Sequence, residues 1–370
     1  MCFSLILWIA RLVACAGCLT ASLASAQTRD GARWEIPQGA QPQLALGSDG
    51  RIWLTYAKAG DVFAAHSRDN GVTFSAPTRI ATVPGIMVGM RRGPRIAANG
   101  ERVTVTAIAH ELIAFHSSDG GRTWSKPAVV NDVPTAAREG LHDLARAPDG
   151  TLFVTWLDLR NGAMELWGAE SKDAGLSWSG DQQIYRSPDK SICTCCQPSA
   201  VFDASGTLAV MWRNSIGGAR DMWFSTRAPG GAAFGTPRKL GDGSWNIEGC
   251  PMDGGRIIAT SNGSFASVWQ RAGDVFFCPA TGAEIPLGQG KQPVAIMRGG
   301  EPVVLWQRGP ELVSATVAPN ASATSHAADA RFPVLVSLQD GSGAVLAYEY
   351  GPAKEPSLAI ERILQVASSR

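Results

Sequence analysis

The sequence predicts an all-β chain, a β-propeller of four-stranded antiparallel blades, seven in number. Three observations carry this reading. An eight-residue turn motif recurs about every fifty residues, and a pattern of paired apolar strands recurs seven times out of phase with it. The composition, with 41 Gly, 22 Pro and 12 Trp among 370 residues, suits a chain of many strands and turns. Two ordinary domains are the default at this length, but repetition along the whole chain argues for one all-β unit over 27–370.

In chain order, the first element lies outside the fold. Arg11 precedes an apolar stretch from Leu12 to Leu23, and Ala24-Ser25-Ala26 before Gln27 fits the cleavage pattern of an export signal. Residues 1–26 are therefore read as a signal peptide and the mature protein as exported, periplasmic or secreted. Leu12-Val13-Ala14-Cys15 resembles a lipobox, which gives the alternative of a lipid anchor on Cys15. Arg11 divides the apolar leader into pieces too short to cross a bilayer, and no transmembrane segment is expected in the mature chain.

The blades follow. Each copy begins with a small or Pro-containing segment, near Pro42, Pro94, His142, Pro198, Pro251, Pro293 and Pro333. A Gly turn then leads to a second apolar strand: Ile52 to Tyr56, Val103 to Ile108, Leu152 to Leu157, Leu208 to Trp212, Phe265 to Trp269, Pro302 to Trp306 and Ala344 to Tyr348. Alternation and β-branched enrichment support strands throughout. The last copy has three strands of its own, so Ala32 to Ile36 is expected to supply its fourth and close the ring.

The turn motif reads Ser67-Arg68-Asp69-Asn70-Gly71-Val72-Thr73-Phe74, then Ser117 to Trp124 around Asp119 and Gly121, then Ser171 to Trp178 around Asp173 and Gly175. A decayed copy starts at Ser225, without the aspartate. The carboxylate accepts N–H bonds of its own turn, the glycine supplies a positive φ, and the closing Trp or Phe is buried between blades. This pattern resembles the Asp box, or BNR repeat, of sialidases and related propellers. The resemblance implies a propeller, and it raises six blades, as in sialidases, as the alternative count.

In a propeller the loops leading into each innermost strand share one face with the loops joining the second and third strands. The Asp-box turns join the third and fourth strands and belong to the opposite face. The map places Met87, Met90, Arg91, Arg92, His110, Glu139, His142, Asp143, Asp158, Arg160, Arg213, Asn214, Asp221, Glu248 and Asp253 on the loop-rich face. Ionisable groups gathered on a rigid scaffold mark the candidate site.

Three functions compete for that face. With 33 basic and 32 acidic residues the net charge is +1, and no basic run marks a nucleic-acid partner. The family resemblance implies a glycoside hydrolase with an arginine cluster, a Tyr nucleophile paired with a Glu, and an Asp acid/base. Arg91 or Arg92, Arg160 and Arg213 imitate the cluster, and Glu139, Asp143 or Asp158 offer a carboxylate. The Phe/Tyr-Arg-Ile-Pro segment of sialidases is absent, its nearest match being Pro94-Arg95-Ile96-Ala97. The second reading is a propeller that binds a glycan or a protein without catalysis. The third is a thiolate metal or redox site.

Cysteine usage bears on the third reading. Loss of the leader removes Cys2, Cys15 and Cys18 and leaves Cys193, Cys195, Cys196, Cys250 and Cys278, an odd number. Cys193-Thr194-Cys195-Cys196 leads into the fourth inner strand, and Gly249-Cys250-Pro251 holds the matching place one blade later. A disulfide from the first loop to Cys250 is therefore expected. The alternative cofactor is a soft metal such as copper on two or three thiolates, with His142 or Met90 completing the shell. Cys278 is read as a bystander.

Overall fold

The computed structural model describes residues 33–317 and 321–363, so the expected signal peptide, the lipobox and the first three cysteines lie outside the described residues. The described chain is a ring of seven four-stranded antiparallel sheets with no helix. Blades 1 to 6 follow the sequence in order, four strands each. Blade 7 takes three strands from the C-terminal part and its outermost from the other end, where β1 (Trp34–Ile36) pairs with β28 (Ser357–Ile363), Trp34 opposite Ile360. The expected closure is present, and the count is seven rather than six.

One blade boundary differs from the sequence reading. The inner strand of blade 5 starts at Arg256 rather than near Pro251. Gly255 precedes it at φ 70, in a place where a Cβ would stand 2.3 Å from the Val268 carbonyl, so the chain becomes a strand only after this close crossing.

The second strands explain why the blades pack. At the matching place in these strands six blades carry an aromatic: Tyr56, Trp156, Trp212, Trp269, Trp306 and Tyr348, each at most 2% exposed. Blade 2 has Ala107 there instead. Each ring fills the wedge against a neighbouring blade and contributes on the order of 3 kcal/mol by burial.

The three Asp boxes repeat one hydrogen-bond pattern. In the first, Ser67 Oγ donates to Asp69 Oδ1 (2.7 Å) and accepts from Gly71 N (2.8 Å). Asp69 accepts from Thr73 N (2.9 Å) and the Thr73 hydroxyl (2.6 Å). Asp119 and Asp173 repeat it with Thr123 and Ser177. Each box glycine also abuts the preceding blade. A Cβ on Gly71, Gly121 or Gly175 would stand 2.3 Å from Val345, 3.0 Å from Trp53 or 2.6 Å from Thr104, three residues at equivalent places in their strands. The motif thus sets a turn and fits one blade to the next. These turns join third to fourth strands, as expected.

Candidate functional site

On the opposite face the loops leading into the inner strands are joined around the ring. Asp143 accepts from Ala200 N (2.9 Å), Gln197 from Gly254 N (3.1 Å), Asp253 from Gln292 N (2.5 Å), Gln292 from Phe332 N (3.0 Å) and Glu349 from Gln41 N (2.8 Å). Each bond ties one blade to the next, from blade 3 round to blade 1. Gln41, Gln292 and Phe332 each stand before a proline with φ of 51 to 53. That left-handed residue makes the bulge that turns the chain into its strand.

Several of the expected ligand-binding residues take part in these ties. Asp143 and Asp253 are staples. Arg91 is buried and donates to the carbonyls of Gln292 and Pro333, reaching from blade 2 across the axis to blades 6 and 7. Burial lowers its pKa to about 10. Asp143 holds Arg95 at 3.8 Å and Arg256 at 3.3 Å, so three guanidiniums and one carboxylate pinch the axis to a 50 Å³ space. Below it, a 390 Å³ channel is lined by all seven inner strands.

The remaining candidates divide in the same way. Arg92 donates to the Glu139 carbonyl and joins the loops of blades 2 and 3. His142 is buried with Nε2 3.0 Å from the Thr106 hydroxyl, and burial followed by the nearby Arg95 holds its pKa well below the usual value, so it is a neutral packing group. Buried Asp158 accepts from Trp156 Nε1 (2.8 Å) and from Arg160, whose guanidinium also pairs with Asp181 and lies 3.7 Å over the Trp167 ring. Asn214 donates to the Tyr185 hydroxyl, and Asp221 accepts from Ser244 and Trp245 N. None of these four acts as a free arm on the surface.

The tyrosine needed for the sialidase route is not beside the axis. The Tyr–carboxylate hydrogen bond among the described residues is Tyr348 to Glu361. It joins the second and third strands of blade 7 and is flanked by Arg33, next to the outermost strand. Glu349 points instead to Gln41 and Arg331.

The cysteines are placed differently from the expectation. Cys193, Cys195 and Cys196 converge in a buried triangle with sulfur separations of 3.7, 3.6 and 4.0 Å. Cys250 is not among them: it is exposed, and all five described cysteines are free thiols, so the bridge to Cys250 is not formed. The reason is local. Asn246 pairs with Ala219 and carries the segment outward, and the chain turns in only at Met252, at φ 53. Met252, two residues later, packs against the three thiols. Met90 instead lies exposed on another blade. Cys278 is buried in the third strand of blade 5, away from the cluster, as expected.

Arg213 organises this seam. Cys193 N donates to the Arg213 carbonyl (3.1 Å), while the buried guanidinium donates to the carbonyls of Asp253, Gln270 and Arg220. Among the described residues it has no carboxylate partner. Hydrogen bonds with the Cys195 and Cys196 thiols draw the Cys193 pKa down from its usual value, and Arg213 adds to that pull. The bond to Cys193 pushes Cys195 up, and burial pushes Cys196 up to about 12.

A wider concavity lies elsewhere on the loop-rich face, a 710 Å³ groove over blades 6, 7, 1 and 2. Its floor is aliphatic, with Ile86, Val88 (45% exposed) and Met90 (37% exposed) beside Phe332. Lys58, Lys291, Arg331 and Lys354 stand around it. Sequence reasoning missed these lysines, Met252 and the glutamine staples. The repeated Gln-Pro pairs at 41–42, 197–198 and 292–293 were the available signal for the staples.

No protein-family model matches this chain, and no curated protein does. Solved structures match it as folds. The polysaccharide lyase Uly1 superposes with a TM-score of 0.58 at 8% identity over 90% of this chain and 99% of its own. YCF48 bound to D1 peptide gives 0.56 at 14%, over 90% and 95%. Virginiamycin B lyase from Staphylococcus aureus gives 0.55 at 11%, over 90% and 99%. The chain shares the architecture of these propellers.

Proposed function

We propose that this is an exported Asp-box propeller that binds a partner without hydrolysing it, holding an acidic, aliphatic segment of a protein in the groove over blades 6, 7, 1 and 2. The observation that carries this is the lining. Lys58, Lys291 and Lys354 make no ion pair among the described residues, yet they surround a floor of exposed Val88 and Met90. Solvated lysines around an apolar strip offer charge steering to an anionic ligand and burial to its side chains. The exposed side chains of the floor are aliphatic, Phe332 beside them being buried, where a sugar site would use exposed aromatic platforms, which favours peptide over glycan. YCF48, a structural neighbour, carries a bound peptide, in keeping with a propeller acting as a docking platform.

The test is fluorescence anisotropy with synthetic peptides of alternating Glu and Leu or Val, against uncharged versions of the same length and against sulfated and uronate oligosaccharides. The acidic peptides should bind, more weakly as salt rises, and Lys58→Glu with Lys291→Glu should cost about tenfold or more in affinity at unchanged melting temperature. Preference for the oligosaccharides would replace the peptide with an anionic glycan. Release of sialic acid from a sialoside substrate would overturn the non-hydrolytic reading.

A further inference from the structure

We propose that Cys193, Cys195 and Cys196, with the thioether of Met252, form a binding site for one soft monovalent metal ion, Cu(I), at the seam between blades 4 and 5. The site is remote from the groove and does not depend on its function.

The geometry is the first support. The three sulfurs form a nearly equilateral triangle, so an ion at its centre sits about 2.2 Å from each, close to the length of a metal–thiolate bond. Three buried thiols on one short loop do not converge this way by packing alone, since hydrophobic packing is indifferent to which atoms of a cysteine meet. The donor set is the second support. No His, Asp or Glu joins the cluster, and the side chain that packs against it, Met252, is the one that can offer a further sulfur. Thiolates with a thioether and no harder ligand select Cu(I); zinc structural sites draw four donors from Cys and His.

Charge is the third. Three thiolates around Cu(I) carry a net charge of minus two, which a buried site tolerates only beside a cation. Arg213 is that cation. It is 1% exposed, bonded to carbonyls, and its own carbonyl holds the backbone of Cys193. A buried guanidinium without a carboxylate partner is otherwise costly, and an anionic metal–thiolate centre offsets it. The seam is also preformed. Gly254 passes so close to Gln197 that a Cβ would stand 1.9 Å from its carbonyl oxygen, which brings Met252 and the cysteine loop together. Cys195, 7% exposed against 1% for the other two, is the side from which an ion enters.

The experiment uses the full mature chain, reduced and kept anaerobic, titrated with Cu(I) held by bicinchoninate, and in parallel with Zn(II) held by a chromophoric chelator. One Cu(I) per chain should leave the chelator, with thiolate-to-copper absorption in the near ultraviolet and a higher melting temperature. Cys195→Ser should lower Cu(I) affinity at least about a hundredfold and Met252→Leu about tenfold, while Cys250→Ser and Cys278→Ser leave it unchanged. Met252→Leu conserves volume and keeps the test decisive should Cys195→Ser fold poorly. Failure of the reduced chain to take Cu(I), equal preference for Zn(II), or full affinity in Met252→Leu together with Cys195→Ser would overturn the proposal. A Cys193–Cys196 disulfide in the purified protein whose reduction does not restore binding would do the same.

Discussion

Gly71→Ala tests the claim that an Asp box fits one blade to the next as well as setting a turn. Gly71 has φ 81, and an added Cβ would stand 2.3 Å from Val345 Cγ2 on blade 7. A left-handed alanine costs about 1 to 2 kcal/mol, of which about 0.4 to 1 is returned by the stiffer unfolded chain. Forcing a methyl into a packed contact adds about 1 to 3 kcal/mol. The control is Gly100→Ala: φ 60, the same backbone region, with nothing within 4 Å of the new Cβ. The control carries only the backbone cost, so Gly71→Ala should be less stable than Gly100→Ala by about 1 to 3 kcal/mol. The difference corresponds to a few degrees in melting temperature for a chain of this size. Urea unfolding followed by circular dichroism measures it, and Val345→Ala in the Gly71→Ala background should recover part of the loss. Equal stabilities of the two alanine variants, within about 0.5 kcal/mol, would refute the inter-blade role.

Asp158→Asn should destabilise the fold by about 3 kcal/mol while leaving peptide affinity unchanged, because the buried carboxylate pairs with half-buried Arg160 rather than with a ligand; reduced affinity at full stability would return it to the site. The Thr123 hydroxyl, then the Thr123 N–H, hold the Asp119 carboxyl well below the usual range. A depressed folded pKa gives stability that is complete above the unfolded value of about 3.9 and fades as pH falls below it, so Asp119→Asn should flatten the acid limb of the melting curve. An unchanged acid limb argues against that contribution. Deleting residues through Ile36 removes β1 and should lower the melting temperature more than any single substitution above, since it opens the edge of β28 and exposes Phe74, stacked 5.2 Å from Trp34.

The blades and their closure were legible because they are written as repeats: a periodic turn motif and a periodic aromatic are local, and a ring needs little more than neighbours. The site was less legible because its chemistry is decided between blades. Arg91, Asp143 and Arg213 have the residue types of a binding surface, and only the partners that reach them from other blades show the ties they make. The cysteine loop was found from spacing, yet its partner was misplaced by two residues, because a left-handed turn at Met252 leaves no pattern in the sequence as a Gly or Pro would. The groove was missed since its lysines come from blades far apart in the chain.

The closing pair of strands, β1 and β28, joins residues as far apart in sequence as Trp34 and Ile360. Every other sheet is made from consecutive chain, so each can form as soon as it is synthesised, while this one waits for the last strand. The same pairing brings Arg33 and Glu361 side by side. The two ends of the ring could thus be joined by a short linker and the chain reopened in an exposed loop between blades, such as Val133-Pro134 between blades 2 and 3, giving a circular permutant whose seven blades are all continuous. In that molecule ring formation would be separated from the meeting of the two ends.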